Sequence, residues 1–269
     1  MRLPTYFVSH GGGPWPWMEE MRAAYAGLAR SLAGMPREIG VQPAAVLMVS
    51  AHWEESEFTL MAGAKPPMLY DYGGFPPHTY QIVYPAPGSP VLAERVRGLL
   101  AAAGLTARSD AQRGFDHGAF VPMAVMYPQA DVPMVQLSLK RGLDAAAHLA
   151  LGRALAPLRD ERVLIIGSGL SYHNLRAFGP AGRDASIAFD ACLQDTAVAA
   201  PPAQRDERLL GWAKAPAARA AHPREEHLIP LMVASAAAQD EAGVCSYHED
   251  TSFGIVVSSF RFGPLPAPA

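Results

Sequence analysis

The chain has 269 residues, half of them apolar, and a net charge of −3 with no run of one sign. That is enough apolar sequence for one large core, and scattered Lys and Arg argue against a nucleic-acid footprint. No apolar run reaches the ~18 residues of a membrane span, no signal-peptide stretch opens the chain, and two cysteines outside any Cys-x-x-Cys pattern read as reduced thiols. The expected home is the cytoplasm, with no nucleic-acid or membrane partner.

Thr5–Ser9 reads as a buried strand ending at His10. Met18, Met21, Tyr25, Leu28 and Leu32 recur at helical spacing and predict a helix over 18–33. Ala44–Ser50 predicts a second strand, ending beside His52, and Phe58–Met61 a third. Residues 66–90 are proline-rich and aromatic, with Gly73-Gly74 at their centre. An irregular segment of this length inside a domain is expected to be an active-site loop. Helices are predicted over 90–103, 119–127, 145–158, 185–199 and 224–238. Strands are predicted over 132–138, 162–167 and 254–262. The Ala/Pro patch 197–203 reads as a loop and 263–269 as a frayed tail.

Strands alternating with helices, without a linker or repeat, imply one α/β domain over 1–269. Its sheet is expected to be central, mixed and largely parallel, flanked by helices. Ligands of such sheets bind beyond the carboxyl ends of the strands. His10, His52 and His173 all come after predicted strands, so a metal site beyond the strand ends is the expectation.

Five of the nine histidines sit where the chain turns. His10 precedes Gly11-Gly12-Gly13-Pro14, His52 lies in Ser-Ala-His-Trp, and His227 comes after Glu225-Glu226 near a predicted helix start. Imidazole is the commonest side-chain metal ligand. Glu226 and His227 both qualify as a third ligand. A two-histidine, one-carboxylate face suits non-haem Fe(II) and three histidines suit Zn or Fe, and spacing does not separate them. His117, beside Asp116, and His173, between Tyr172 and Asn174, have neighbours that can orient an imidazole for acid–base work. His78 is a candidate pocket residue beside Tyr80. His148 reads as a surface residue of an alanine-rich helix, His248 as part of a solvated loop, and His222 as a neighbour of a helix start. Phosphate-loop and Gly-x-Ser-x-Gly motifs are missing.

Ordered motifs run along nearly the whole chain. They include Ser9-His10-Gly11, Ser50-Ala51-His52-Trp53, Tyr72-Gly73-Gly74-Phe75-Pro76, Tyr84-Pro85-Ala86-Pro87-Gly88-Ser89-Pro90 and Gly114-Phe115-Asp116-His117-Gly118. They continue with Tyr127-Pro128, Val132 through Ser138, Gly167-Ser168-Gly169, His173-Asn174-Leu175 and Glu226-His227-Leu228 with Pro230-Leu231. In these the chain resembles the class III extradiol ring-cleavage dioxygenases. The resemblance is to the single-chain DOPA-dioxygenase-like branch related to the catalytic subunit of protocatechuate 4,5-dioxygenase.

The resemblance implies a divalent metal on His10, His52 and His227, with Glu226 in reserve. Fe(II) is expected for ring opening and Zn(II) is the other ion associated with the branch. It implies His173 as acid–base and His117 as the group that steadies negative charge. The implied partners are a catechol-type diol and O2, the product a muconic-semialdehyde-type compound, and a homodimer is a reasonable prior. Trp15, Trp53, Phe75, His78 and Tyr80 are expected to pack around the planar substrate. The branch often has His-Gly-Ser-Pro where this chain has His10-Gly11-Gly12-Gly13-Pro14-Trp15-Pro16-Trp17, so a reshaped pocket is expected. The rival expectations are a zinc hydrolase using the same three histidines and a non-catalytic binding protein of the same fold.

Overall fold

Val46–Val49 and Leu164–Ile166 are apolar at every position, the pattern of strands covered on both faces. In the computed structural model, which describes residues 1–266, they lie at the centre of an eight-stranded sheet. The strands are β1 (Thr5–Ser9), β2 (Ala45–Glu55), β3 (Phe58–Met61), β4 (Ala107–Asp110), β5 (Met134–Lys140), β6 (Val163–Gly169), β7 (Gly243–Asp250) and β8 (Val256–Phe262). Their order across the sheet is β4-β3-β5-β2-β6-β1-β8-β7. The four central strands, β5, β2, β6 and β1, run parallel. Reversals at β3 and β8 make the sheet mixed. The expected single α/β domain is the one that forms.

Side chains alternate between the two faces, as the pleat demands. Leu47, Val49 and Ile165 enter one core, packed with helices Ala145–Leu155 and Ile229–Ala237. Val46, Met48, Leu164 and Ile166 enter the other, packed with helices Ala26–Ile39 and His117–Met126. Among the described residues, no helix is long and apolar enough to cross a membrane.

Several boundaries move for identifiable reasons. The helix expected over 224–238 begins only at Ile229, because Pro230 lacks a backbone donor and suits a first turn. Glu226–Leu228 are left as a turn. The helix expected over 18–33 breaks before Ala26 and runs on to Ile39, ending at left-handed Gly40. Helix 145–158 changes to a 3-10 turn at Ala156, next to Pro157. β4 and β7 were not expected, and both occupy sheet edges, where polar and exposed side chains hide the strand pattern. His248 accordingly lies in β7 rather than in a loop. The patch 197–203 is not a simple loop, since a helix starts at Pro202 and buries Arg205 and Leu209. His148 corrects another expectation. It is fully buried, with Nε2 accepting from the Lys140 N–H at 3.1 Å. Of the expected tail, residues 267–269 lie outside the described residues.

Candidate metal centre

β1, β2 and β6 are neighbours in the sheet, so the segments leaving their ends converge. His10 comes directly after β1, and its N–H donates to the Gly169 carbonyl at the end of β6. β2 runs past its expected end, but its register against β5 shifts between Val49 and Glu54. That irregular stretch carries His52 out of the ladder. His227 stands in the turn before the last helix, and its carbonyl accepts from the Leu170 N–H. A Cβ on Gly169 would lie 2.0 Å from that carbonyl oxygen, so only glycine permits the approach. Gly13 has φ +55 and a Cβ there would meet the Phe75 ring at 2.5 Å, which fixes the loop after His10 against the cavity wall.

The Nε2 atom of His52 lies 3.3 Å from Nε2 of His10 and 3.3 Å from Nε2 of His227. Each of the three rings turns Nδ1 toward an acceptor. His10 donates to the Gly11 carbonyl at 2.8 Å and His227 to Glu226 Oε1 at 2.9 Å, while His52 faces Asp71 Oδ2 at 3.3 Å. A carbonyl or an ionised carboxylate only accepts, so these partners place the ring proton on Nδ1 and leave a lone pair on each Nε2. Burial, reinforced by the neighbouring imidazoles, holds all three pKa values well below the ordinary histidine value and so keeps the rings neutral. Three lone pairs facing one another are satisfied by a cation between them. Ligands ~2.0–2.1 Å from a tetrahedral ion stand about 3.3–3.4 Å apart, the separation found between His52 and each of the other two. The donor set fits a divalent metal.

The other two histidines share the same carboxylates. His117 Nδ1 lies 2.9 Å from Asp71 Oδ1, and His173 Nδ1 lies 3.1 Å from Glu226 Oε1. Each carboxylate therefore joins one inner histidine to one outer histidine. Burial raises both carboxyl pKa values, but hydrogen bonds from His117 and His173 outweigh it and leave Asp71 and Glu226 below the usual carboxylate value. His173 stacks on His227 with ring centres 3.4 Å apart, and His117 lies 3.9 Å from His52. Ligand atoms of His10, His52 and His117 fall within 4.8 Å of one another, as do those of His173, Glu226 and His227. The direct Nε2 contacts bridge these two groups through His52 and His227.

Asp71 is the functional residue that sequence reading passed over. Its one signal is that it is the sole acid between Pro66 and Pro90. Asp116, which was expected beside the His117 ring, instead caps that helix by accepting from the Ala119 N–H at 3.2 Å. It is fully buried under Ser50, Gln136 and Arg113, and burial raises its pKa.

A cavity of about 310 Å³ opens beside the histidines. Of the five residues expected around the substrate, Phe75 lines it and the others do not. Trp15 is buried behind His10, its Nε1 donating to the His10 carbonyl at 2.9 Å. Trp53 lies under the Arg113 guanidinium, 4.7 Å away, with Nε1 donating to Glu55. His78 is exposed, with Nε2 3.1 Å from the Trp17 carbonyl. Tyr80 stands behind Tyr72, with ring centres 5.4 Å apart. His222 packs between Phe189 and Trp212, with Nε2 2.9 Å from the Ser171 carbonyl.

Residues 5–259 match the family described as the catalytic LigB subunit of aromatic ring-opening dioxygenase. The chain is 38% identical over 263 residues to a 4,5-DOPA dioxygenase extradiol of Beta vulgaris, covering 96% of each chain. It is 35% identical to the dioxygenase tasH of Hapsidospora irregularis, covering 97% of this chain and 85% of that one. Its fold is similar to the crystal structure of an uncharacterized protein from Escherichia coli K12. That match has a TM-score of 0.75 at 29% identity and covers 97% of this chain and 100% of the other.

Proposed function

Because the chain belongs to the family of the catalytic LigB subunit of aromatic ring-opening dioxygenase, we propose that His10, His52 and His227 hold its metal and that His173 and His117 are its acid–base pair. The enzyme is an extradiol dioxygenase that opens the ring of a catechol-type aromatic with O2, which sets the hydrolase and binding-protein alternatives aside. The observation that carries the site assignment is that Nε2 of His52 lies 3.3 Å from Nε2 of both His10 and His227, each ring held by an acceptor at Nδ1. Fe(II) is the metal we assign, since zinc has no redox chemistry; when bound, it supplies a shared site for diol and O2 and electron transfer between them.

The hydrogen bonds set the protein side of the reaction. Glu226 holds the Nδ1 proton of His173, so Nε2 is the basic atom. It takes a proton from a catechol hydroxyl and returns it as the ring opens. Across the site, Asp71 holds Nδ1 of His117 at 2.9 Å and orients the ring, and an Nε2–H on it steadies negative charge developing on oxygen. Phe75 and the apolar walls exclude water and orient the ring. DOPA, named for the Beta vulgaris relative, is one member of the catechol class. The two thiols, Cys192 and Cys245, are free and suit the reducing cytoplasm we assign.

The test is anaerobic reconstitution with Fe(II), then O2 uptake across a panel of catechols. Equimolar consumption of O2 and catechol, with a semialdehyde-type absorbance and no uptake in the Zn(II) form, is expected. An iron-loaded protein that takes up no O2 with any catechol would contradict the assignment.

A further inference from the structure

We infer that the catechol taken by this site carries an uncharged, apolar ring substituent, an inference that rests on the dioxygenase reading above. Away from the histidines the cavity is walled by Met21, Tyr25, Leu28, Phe178, Phe253 and Val257, and its lining includes no Lys, Arg, Asp or Glu. Three of the hydroxyls on the walls donate to protein acceptors. Tyr72 donates to the Thr79 carbonyl at 2.6 Å and Thr251 to the Ile255 carbonyl at 2.8 Å. Tyr247 donates to Glu249, and the Tyr25 hydroxyl accepts from the Gly12 N–H.

No arginine lines the cavity itself. Arg224 and Arg176 line an adjoining surface groove that shares His173 and Leu175 with the cavity. Arg224 is paired there with Glu54 at 2.6 Å and Glu226 at 3.3 Å. A carboxylate or ammonium on the substrate would thus lose water and find no opposite charge, which is unfavourable in an enclosed apolar space. An alkyl group instead gains from burial, about fourfold in affinity per methylene. The volume of about 310 Å³ stands at the small end of small-molecule sites, enough for one ring and a short chain.

Leu175 is 73% exposed and also lines the cavity, so it marks the mouth through which a substituent would meet solvent. It is the position at which a charge is most easily added without disturbing the core.

The experiment compares catechol, 4-methylcatechol and 4-propylcatechol with DOPA and with 3-(3,4-dihydroxyphenyl)propanoate on the Fe(II) enzyme. The kcat/KM should rise about fourfold per methylene, and 4-propylcatechol should exceed the propanoate by at least about tenfold. Dissociation constants from anaerobic calorimetry should keep the same order, with a negative heat-capacity change for the alkylcatechol. Leu175→Arg should narrow the gap by improving the propanoate. If DOPA or the propanoate binds as well as 4-propylcatechol, the inference is overturned, and the Gly11 and Gly13 N–H groups become the place to look for a carboxylate partner. Should no catechol be turned over, the dioxygenase reading fails, while the dissociation constants still decide the preference of the cavity.

Discussion

The two ends of the cavity are built on opposite terms. At one end four imidazoles share two carboxylates, His10 is held by the Gly11 carbonyl, and every ring is oriented by a hydrogen-bond acceptor within 3.3 Å. At the other end the lining is aliphatic and aromatic and carries no charged side chain. The polar end is assembled largely at the ends of β1, β2 and β6, neighbouring strands that leave little freedom of position. The apolar end draws on separate pieces, including helix Ala26–Ile39, the turn Leu175–Ala177 and the bend between β7 and β8. Reaction chemistry is thereby tied to the sheet, while substrate choice is left to segments that can vary without disturbing it.

The sharpest way to break this contrast is to remove the ring at the centre of the polar end. His52→Ala should lower metal affinity by more than about 100-fold, beyond the 10–100-fold that losing an outer partner costs. Metal content after dialysis and O2 uptake should fall together. Full metal retention would show that the polar end is held by other residues.

Asp71→Asn and Glu226→Gln come next in size. Each keeps an acceptor oxygen but removes the charge shared by an inner and an outer histidine. Metal affinity measured by chelator competition should fall about 10–100-fold in each. The kcat should also fall, because His117 loses its charged hydrogen-bond partner in one variant and His173 in the other. Unchanged affinity and kcat would reduce both carboxylates to packing.

Much of the polar end was legible in advance because it depends on strands. The apolar runs ending at Ser9, Ser50 and Gly167 placed His10, His52 and His173 beyond the carboxyl ends of the strands, and the structure brings them together. Asp71 was not legible, since it stands in an irregular segment where no periodicity says which way a side chain points. The tryptophans failed for the same reason. Aromatic character predicted contact with a flat substrate, whereas Trp15 anchors the His10 carbonyl and Trp53 supports Arg113. His148 was misplaced because its helix, Ala145–Leu155, is so rich in alanine that one face hardly contrasts with the other. β7 escaped notice because an exposed edge strand carries polar residues on the side a core would make apolar.

A smaller effect tests whether the acid sensitivity of the fold comes only from the polar end. His222 lies outside it, and burial pushes its pKa down to about 4. Its Nδ1 is buried without a hydrogen-bond partner. Because the folded value lies below the unfolded one, stability is full above about pH 6.5 and is lost as pH falls from there toward 4. The loss amounts to roughly 3 kcal/mol over that window, at about 1.36 kcal/mol per unit. Thermal melts of His222→Phe between pH 7 and 4 should decline less steeply than those of the native chain. Parallel declines would assign the acid sensitivity to the metal-site histidines alone.

Anomalous diffraction at the iron edge, from crystals loaded anaerobically with Fe(II), addresses the polar end most directly. A single peak is expected about 2.0–2.2 Å from Nε2 of His10, His52 and His227, with His173 and His117 outside it. A peak bound instead by His173, Glu226 and His227, or by His117 in place of His227, would contradict the division of the five histidines.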